Sequence, residues 1–511
     1  MAATHSRTKG PAGLAHSHPF GWCAKAFLSI ALLTLLAQAD DPQLAPAARQ
    51  DSTVVVGEDL PQGEAAGAIR LVVTGNVEAL LQWCACETGK GFLSAKRVHL
   101  IREASKGQRA LLIDAGRAFS GVSDLDRKRG EAHLATMESL GYDTALLGPD
   151  AWALGDGFSV DRLSRSTIGW TCSNLTPPRP AALVEAQGRK IGLVGLISLD
   201  QVPQGGTKVS DPVPAWLSAT SASEADLFIA FGQLNDADVE RLAACDRPPA
   251  AILTSAKAPR ERLGMMGRVY ENPEKTAWSE WGCGRLVVGG VPVFYTEVLG
   301  PAGHMSIELP QPATGRQGYR HVLSAGTTPD DAEAKRLTDA FFAEVRGSAK
   351  EDSARYAKSS WDRELELGRG FVGAKECGRC HEPEAKQWAS TRHEGAYISV
   401  ASRDRWFYPL CVSCHVTGLG RPSGFAIGDD PLTLLSRYPG GPPPGADLTR
   451  PLGMEGVQCE ACHGPGSAHA KAPSEPGLIL KSPPTSLCVE CHDPKNSPRF
   501  SEREYIEKVR H

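Results

Sequence analysis

Eight of the fourteen cysteines fall into four pairs with one grammar, Cys-x-x-Cys-His. They are Cys377, Cys380 and His381; Cys411, Cys414 and His415; Cys459, Cys462 and His463; and Cys488, Cys491 and His492. Two thiols at this spacing can add across the vinyl groups on one edge of a porphyrin, and the adjacent histidine is then brought beneath the iron as an axial ligand. The pattern predicts four haem c groups, attached through the eight cysteines with His381, His415, His463 and His492 as proximal ligands. Paired CxxC units also build tetrahedral zinc sites, but zinc does not require the histidine. With 14 histidines in 511 residues, one after every pair by accident has odds of about one in a million.

The second axial position decides what each iron can do, since a second histidine closes it for electron transfer and an empty position admits small molecules. Beyond the proximal set, the region holds His393, His469 and His511 as candidate distal ligands. Four irons and three candidates leave a shortfall, to be met by His304 or His321, by Met454, or by nothing. Residues 370–511 supply roughly 36 residues per haem, fewer than the ~40 below which a chain usually needs a staple or metal. The haems must then form much of the core. Pro and Gly are dense around 437–445 and 464–466, so short helices joined by loops are expected.

Two stretches carry a family resemblance. Gly373-Ala374-Lys375-Glu376 leads into the first motif and Trp388-Ala389-Ser390-Thr391-Arg392-His393 follows it, while the third motif runs on through Gly464-Pro465-Gly466-Ser467-Ala468-His469. This resembles multihaem cytochromes related to the tetrahaem electron acceptor of hydroxylamine oxidoreductase. The resemblance covers about the last 145 residues. It implies a periplasmic electron carrier with mostly bis-histidine haems and one open iron, with His415 as the candidate for the open one.

Upstream, between Ala68 and Leu309, short β-branched runs such as 69–74, 110–113, 144–147, 191–196, 227–230 and 251–254 alternate with helical stretches, which predicts an α/β layered domain. Leu111-Leu112-Ile113-Asp114-Ala115-Gly116, the Leu-Gly-Tyr-Asp within 137–147, and Ser173-Asn174-Leu175 resemble exported 5′-nucleotidases of the calcineurin-like metallophosphoesterase superfamily. The resemblance implies a two-metal site, yet its ligand positions are altered. Asn76 stands at the first metal-binding Asp, and Arg117 at the Asp after Asp-Ala-Gly. Gly148-Pro149-Asp150-Ala151 replaces Gly-Asn-His-Glu, and Gln233 and residues 255–257 replace later histidines. A fixed guanidinium charge where two dications should sit opposes their binding. The domain reads as a degenerate metallophosphoesterase-like fold that docks or scaffolds.

Cys84 and Cys86 are the remaining reactive residues of this half. They read as a structural disulfide, with Cys172, Cys245 or Cys283 as further partners, or as a redox-active pair exchanging electrons with the haems. The wider frame follows. Residues 1–39 read as a signal peptide, with Arg7, Lys9 and Lys25 before the apolar run 26–37 and Ala37-Gln38-Ala39 as cleavage site. That run is too short for a membrane span. Cys23 precedes it and leaves with the peptide. Then come a flexible lead (40–67), the α/β domain (68–310), a connector of two amphipathic helices (311–369) and the mostly α, loop-rich tetrahaem domain (370–511).

A net charge of −4 with interspersed signs gives no basic patch for nucleic acid, and fourteen cysteines suit an oxidising compartment outside the cytoplasm. The expected function is extracytoplasmic electron transfer between redox partner proteins. Alternatives are a multihaem oxidoreductase acting on a small nitrogen or sulfur compound at an open iron, and a metal-dependent phosphoesterase fused to a cytochrome.

Overall fold

Runs such as Leu111-Leu112-Ile113, apolar at every position, are what a parallel strand covered on both faces requires. The computed structural model describes residues 54–56, 68–83, 92–203, 209–257, 284–296, 303–309, 318–323, 328–428, 453–493, 497 and 500–511. The expected signal peptide, Cys84, Cys86, Cys283 and most of the lead lie outside these residues. Ala110–Asp114 is buried along its whole length. It is an interior strand of a seven-stranded sheet in the order Val54–Val56, Gly318–Leu323, Gly303–Leu309, Ile69–Thr74, Ala110–Asp114, Thr144–Leu146, Gly169–Thr171. The last four strands run parallel and the first three pair antiparallel.

A six-stranded sheet has the order Gly284–Val288, Val291–Tyr295, Ala251–Thr254, Leu227–Gln233, Arg189–Ile197, Ala182–Ala186. The two sheets share one core, in which Leu111, Ile113 and Ile307 meet Leu193, Phe231 and Leu253. The other face of the six-stranded sheet, through Val194, Ala230 and Ile252, packs on Trp216, Val239 and Leu242 from helices Pro212–Ser221 and Asp236–Ala243. Helices Ser94–Ala104 and Asp124–Leu140 lie against the seven-stranded sheet through Ile101, Leu134 and Met137. The result is the predicted α/β layering.

The sheet reaches past the expected 68–310 span. Val54–Val56, within the 40–67 lead, pairs with Gly318–Leu323, within the 311–369 connector. Three valines are too short a run to stand out in a sequence, and an edge strand is fixed by its neighbour. The connector also differs from two separate helices. One helix, Ala332–Asp352, runs through the expected break, because Gly347 alone costs only about 1 kcal/mol in a helix held by packing. Single turns at Ser353–Tyr356 and Ser359–Trp361 and the short helix Asp362–Glu366 follow.

This connector joins the two halves. Phe341 and Phe342 pack on Tyr408, with ring centroids 6.1 and 5.2 Å apart, in a cluster that also takes in Leu81 and Leu125 from the α/β layers. Ser123 caps helix Asp124–Leu140 in a reciprocal box with Asp126, and its hydroxyl also meets the Tyr356 hydroxyl at 2.8 Å. Arg355 pairs with Asp124 and Lys128 with Glu344. The α/β domain is therefore seated against residues 405–412, which lead into the second CxxCH motif.

Candidate haem-binding site

Each motif is wound as a helical turn, which sets cysteines three residues apart on one face. Helix Ala374–Cys377 runs into the first motif, Pro409–Val412 into the second, Cys459–His463 is itself a helix, and the turn Thr485–Glu490 carries the fourth. Backbone bonds continue the winding to the histidines, with His381 N donating to Cys377 O at 3.0 Å and His492 N to Cys488 O at 2.9 Å.

The three spare histidines each come to lie opposite a motif histidine. His381 and His469 have ring centroids 6.2 Å apart, His492 and His393 6.2 Å, and His463 and His511 5.5 Å. Local structure places each one. The indole of Trp388 donates to Val457 O at 2.8 Å and Val457 N to His393 O at 2.9 Å, anchoring the turn that carries His393. Gly456 makes this approach possible: a Cβ there would sit 2.8 Å from His393 O, and its φ is +76°. His469 lies on helix Ser467–Lys471, tied to the first motif by Ser467 N donating to Gly370 O and Gly370 N to Ser467 Oγ. His511 follows helix Glu502–Val509, where Arg510 O accepts from Gln387 Nε2 at 2.8 Å.

The ring nitrogens are oriented as metal-binding imidazoles usually are, with Nδ1 engaged so that the far nitrogen is available. His463 Nδ1 meets Leu480 O at 2.6 Å, His415 Nδ1 meets Ala396 O at 2.6 Å, and His492 Nδ1 meets Ser497 Oγ at 2.9 Å. Burial pushes the His393 pKa down to about 4, with the charge of His492 adding to the shift, so this imidazole stays in the neutral form that ligates metals. Of the other suggested ligands, His304 and His321 belong to strands of the seven-stranded sheet. The Met454 methyl packs toward Gly373.

Sequence reasoning passed over Glu460, which sits between two attachment cysteines and reads as a solvent-facing residue. It is fully buried and accepts from Val372 N, Gly373 N and Gly466 N at 2.7–2.9 Å, joining the approach to the first motif with the loop before His469. Burial raises its pKa and these three amides oppose the rise. The signal lay in Gly464-Pro465-Gly466, a loop whose amides need an acceptor. Gln458 acts likewise, accepting from Ala374 N and donating to Glu455 O at 2.8 Å. The motifs also come close to one another, Cys377 lying near Cys459 and Cys414 near Cys491.

Residues 376–434 match the family model "Cytochrome c554 and c-prime", and residues 453–497 match the "Doubled CXXCH motif" model. The four motifs lie in multihaem c-type cytochrome sequence. The cytochrome region is 30% identical over 111 residues to cytochrome c-554 of Nitrosomonas europaea, a match that spans 19% of this chain and 39% of that protein. The α/β part is similar to a 5′-nucleotidase precursor from Thermus thermophilus, with 20% identity, a TM-score of 0.45, and 55% of this chain and 59% of that chain covered. It is also similar to the sulfate thiohydrolase SoxB of the same organism, with 14% identity, a TM-score of 0.42, and 56% and 62% covered. The chain thus spans less than two thirds of each of these relatives.

Haem c is the group that such motifs hold, and the cytochrome region fits it. Two iron–nitrogen bonds of about 2 Å and the half-widths of two imidazoles separate ring centroids by about 6 Å, which matches the three histidine pairs.

The altered metal positions of the α/β part do not fit a two-metal centre. Asn76 Nδ2 donates to Ser255 O at 3.2 Å and Thr296 O at 3.3 Å, and Ser255 Oγ donates to Ala115 O at 2.8 Å, so direct hydrogen bonds join the two sheets at the strand ends. Asp114 is held by Thr74 Oγ1 and Gly116 N. Among the described residues no group of three or more His, Cys, Asp or Glu side chains is arranged to hold a metal. Among the described residues Cys172 and Cys245 are free thiols, and Cys84, Cys86 and Cys283 lie outside them. Burial pushes the Cys172 thiol up to about 12, so it is inert. Among the described residues no helix is long and apolar enough to cross a membrane.

Proposed function

We propose that this chain is an exported electron carrier that binds four haem c groups and passes single electrons between redox partner proteins, with the α/β domain as a docking scaffold. The observation that carries this reading is the set of three histidine pairs at iron-spanning separation. In it, Cys377 and Cys380, Cys411 and Cys414, Cys459 and Cys462, and Cys488 and Cys491 form the thioethers. His381, His415, His463 and His492 are the proximal ligands. His469 is distal to His381, His393 to His492, and His511 to His463. The haem groups supply one-electron redox chemistry when bound; the chain orients them and excludes water. Bis-histidine ligation suits this work, because both faces of the iron stay closed and little rearranges on reduction.

The 1–39 segment is read as the export signal, consistent with c-type cytochrome sequence, since covalent haem attachment is completed outside the bacterial cytoplasm. The α/β domain is read as 68–310, extended by the paired strands at 54–56 and 318–323. The connector passes its contacts to the segment before Cys411, so a protein bound to the α/β layers would lie within reach of the second motif. Haem quantitation on the full chain, with electron paramagnetic resonance of the oxidised protein, tests the reading. Four haems and low-spin signals for three of them are expected. Fewer than four haems, or two or more high-spin irons, would overturn it.

A further inference from the structure

Attachment cysteines of different motifs lie close together: Cys462 is near Cys488 and Cys491, and two further approaches bring in charged side chains. Cys377 meets Cys459, and Cys414 meets Cys491. The charged side chains at these contacts have opposite sign. At the first, the group is Glu460, wholly buried and accepting only from backbone amides. At the second it is Lys358, which the connector delivers from outside the matched cytochrome sequence. Its ammonium lies against Cys491 Sγ and donates to Glu490 O at 3.3 Å.

The connector holds Lys358 in place from both sides. Its carbonyl accepts from Arg421 Nη2 at 3.1 Å, and Arg421 also pairs with Asp362. Two residues on, the Ser360 hydroxyl donates to the Glu490 carboxylate, and Trp361 covers Gly464, where a Cβ would come within 3.1 Å of the indole. Glu490 is exposed, so water and salt screen its charge, whereas the half-buried ammonium faces the sulfurs through little solvent. The thioether form of these sulfurs carries no charge to cancel it.

We propose that Lys358 is a potential-setting residue: its fixed positive charge raises the reduction potentials of the haems held at Cys411–His415 and Cys488–His492, whose Cys414 and Cys491 sulfurs it faces. A neighbouring cation favours the ferrous over the ferric state, because the ferric state carries one more positive charge.

This inference rests on the four-haem reading, and one experiment separates the two. Haem content of the unmodified full chain reports the reading, and an optically monitored redox titration of the haem-loaded protein reports the inference. In Lys358→Met, two of the four titration waves should move to lower potential with haem content unchanged, and Lys358→Arg should leave all waves in place. Lys358→Gln, which keeps a donor for the Glu490 carbonyl, serves if the methionine variant sheds haem. Unshifted waves in a haem-replete Met or Gln variant would overturn the proposal, as would an Arg variant that shifts as far as Met.

Discussion

The imidazoles of His381 and His469 face one another with centroids 6.2 Å apart and planes 27° from parallel. If both bind one iron, His469→Ala opens one coordination position and leaves the thioethers intact. Haem content should stay at four per chain, one low-spin signal should convert to high-spin, and added imidazole should reverse the change. An unaltered resonance spectrum would remove His469 from the ligand set.

Gly456 has φ +76°, and an added Cβ would lie 2.6 Å from Glu394 O. Gly456→Ala should therefore destabilise the cytochrome region by about 1–3 kcal/mol, the usual cost of a strained backbone site. Because the displaced segment holds His393, the variant should also gain a high-spin signal. Thermal melting and resonance spectra on one sample check both effects.

Phe342 and Lys128 test what holds the two halves together. Phe342 is 5% exposed and packs on Tyr408 and Phe407 beneath the Arg405 guanidinium, so Phe342→Ala should cost about 3–5 kcal/mol. Lys128→Ala removes an exposed pair with Glu344 and should cost at most about 1 kcal/mol. Denaturant midpoints would rank them; a larger loss for Lys128→Ala would mean that charge, not ring packing, joins the halves.

Asp150 carries a pH dependence. Burial pushes its pKa from 3.8 up to about 7, with Asp114 adding to the rise and the Phe119 amide and Arg117 opposing it. Between those values the folded chain keeps a proton that the unfolded chain has released, so this contribution to stability is complete below pH 4 and lost as pH rises toward 7. Asp150→Asn, which resembles the protonated form, should gain on the unmodified protein as pH climbs from about 4 to about 8. Parallel stability profiles would show that Asp150 ionises freely.

The hydrogen-bonded strand ends around Asn76 predict indifference to metals. Added Mn²⁺ or Zn²⁺ should not raise the melting temperature of the α/β domain, and no phosphate should be released from nucleotides. A metal-dependent rise in melting temperature that Asn76→Ala abolishes would contradict this.

Much of this architecture is legible in the sequence because its signals are local. The CxxCH grammar needs five residues, and strands such as Ala110–Asp114 declare themselves as unbroken apolar runs. Which distal histidine meets which motif is not legible, since His393 and His492 are brought together only by the packing of Trp388 and Val457. Val54–Val56 hides for the same reason: its strand state depends on Gly318–Leu323. Glu460 and Lys358 look like ordinary surface charges, because burial is a property of the fold and not of residue type.

The three histidine pairs also interlock along the chain. The span from His381 to His469 encloses His393 and His463, whose partners, His492 and His511, lie beyond it. The pair at the first motif cannot close until the third motif has emerged, and the other two wait for the fourth motif and for helix Glu502–Val509. Maturation should then be staggered: if each pair holds one haem, the haem at the third motif would wait, singly ligated, until that helix docks. A defect in the final motif would accordingly be felt at His393, which lies just past the first motif.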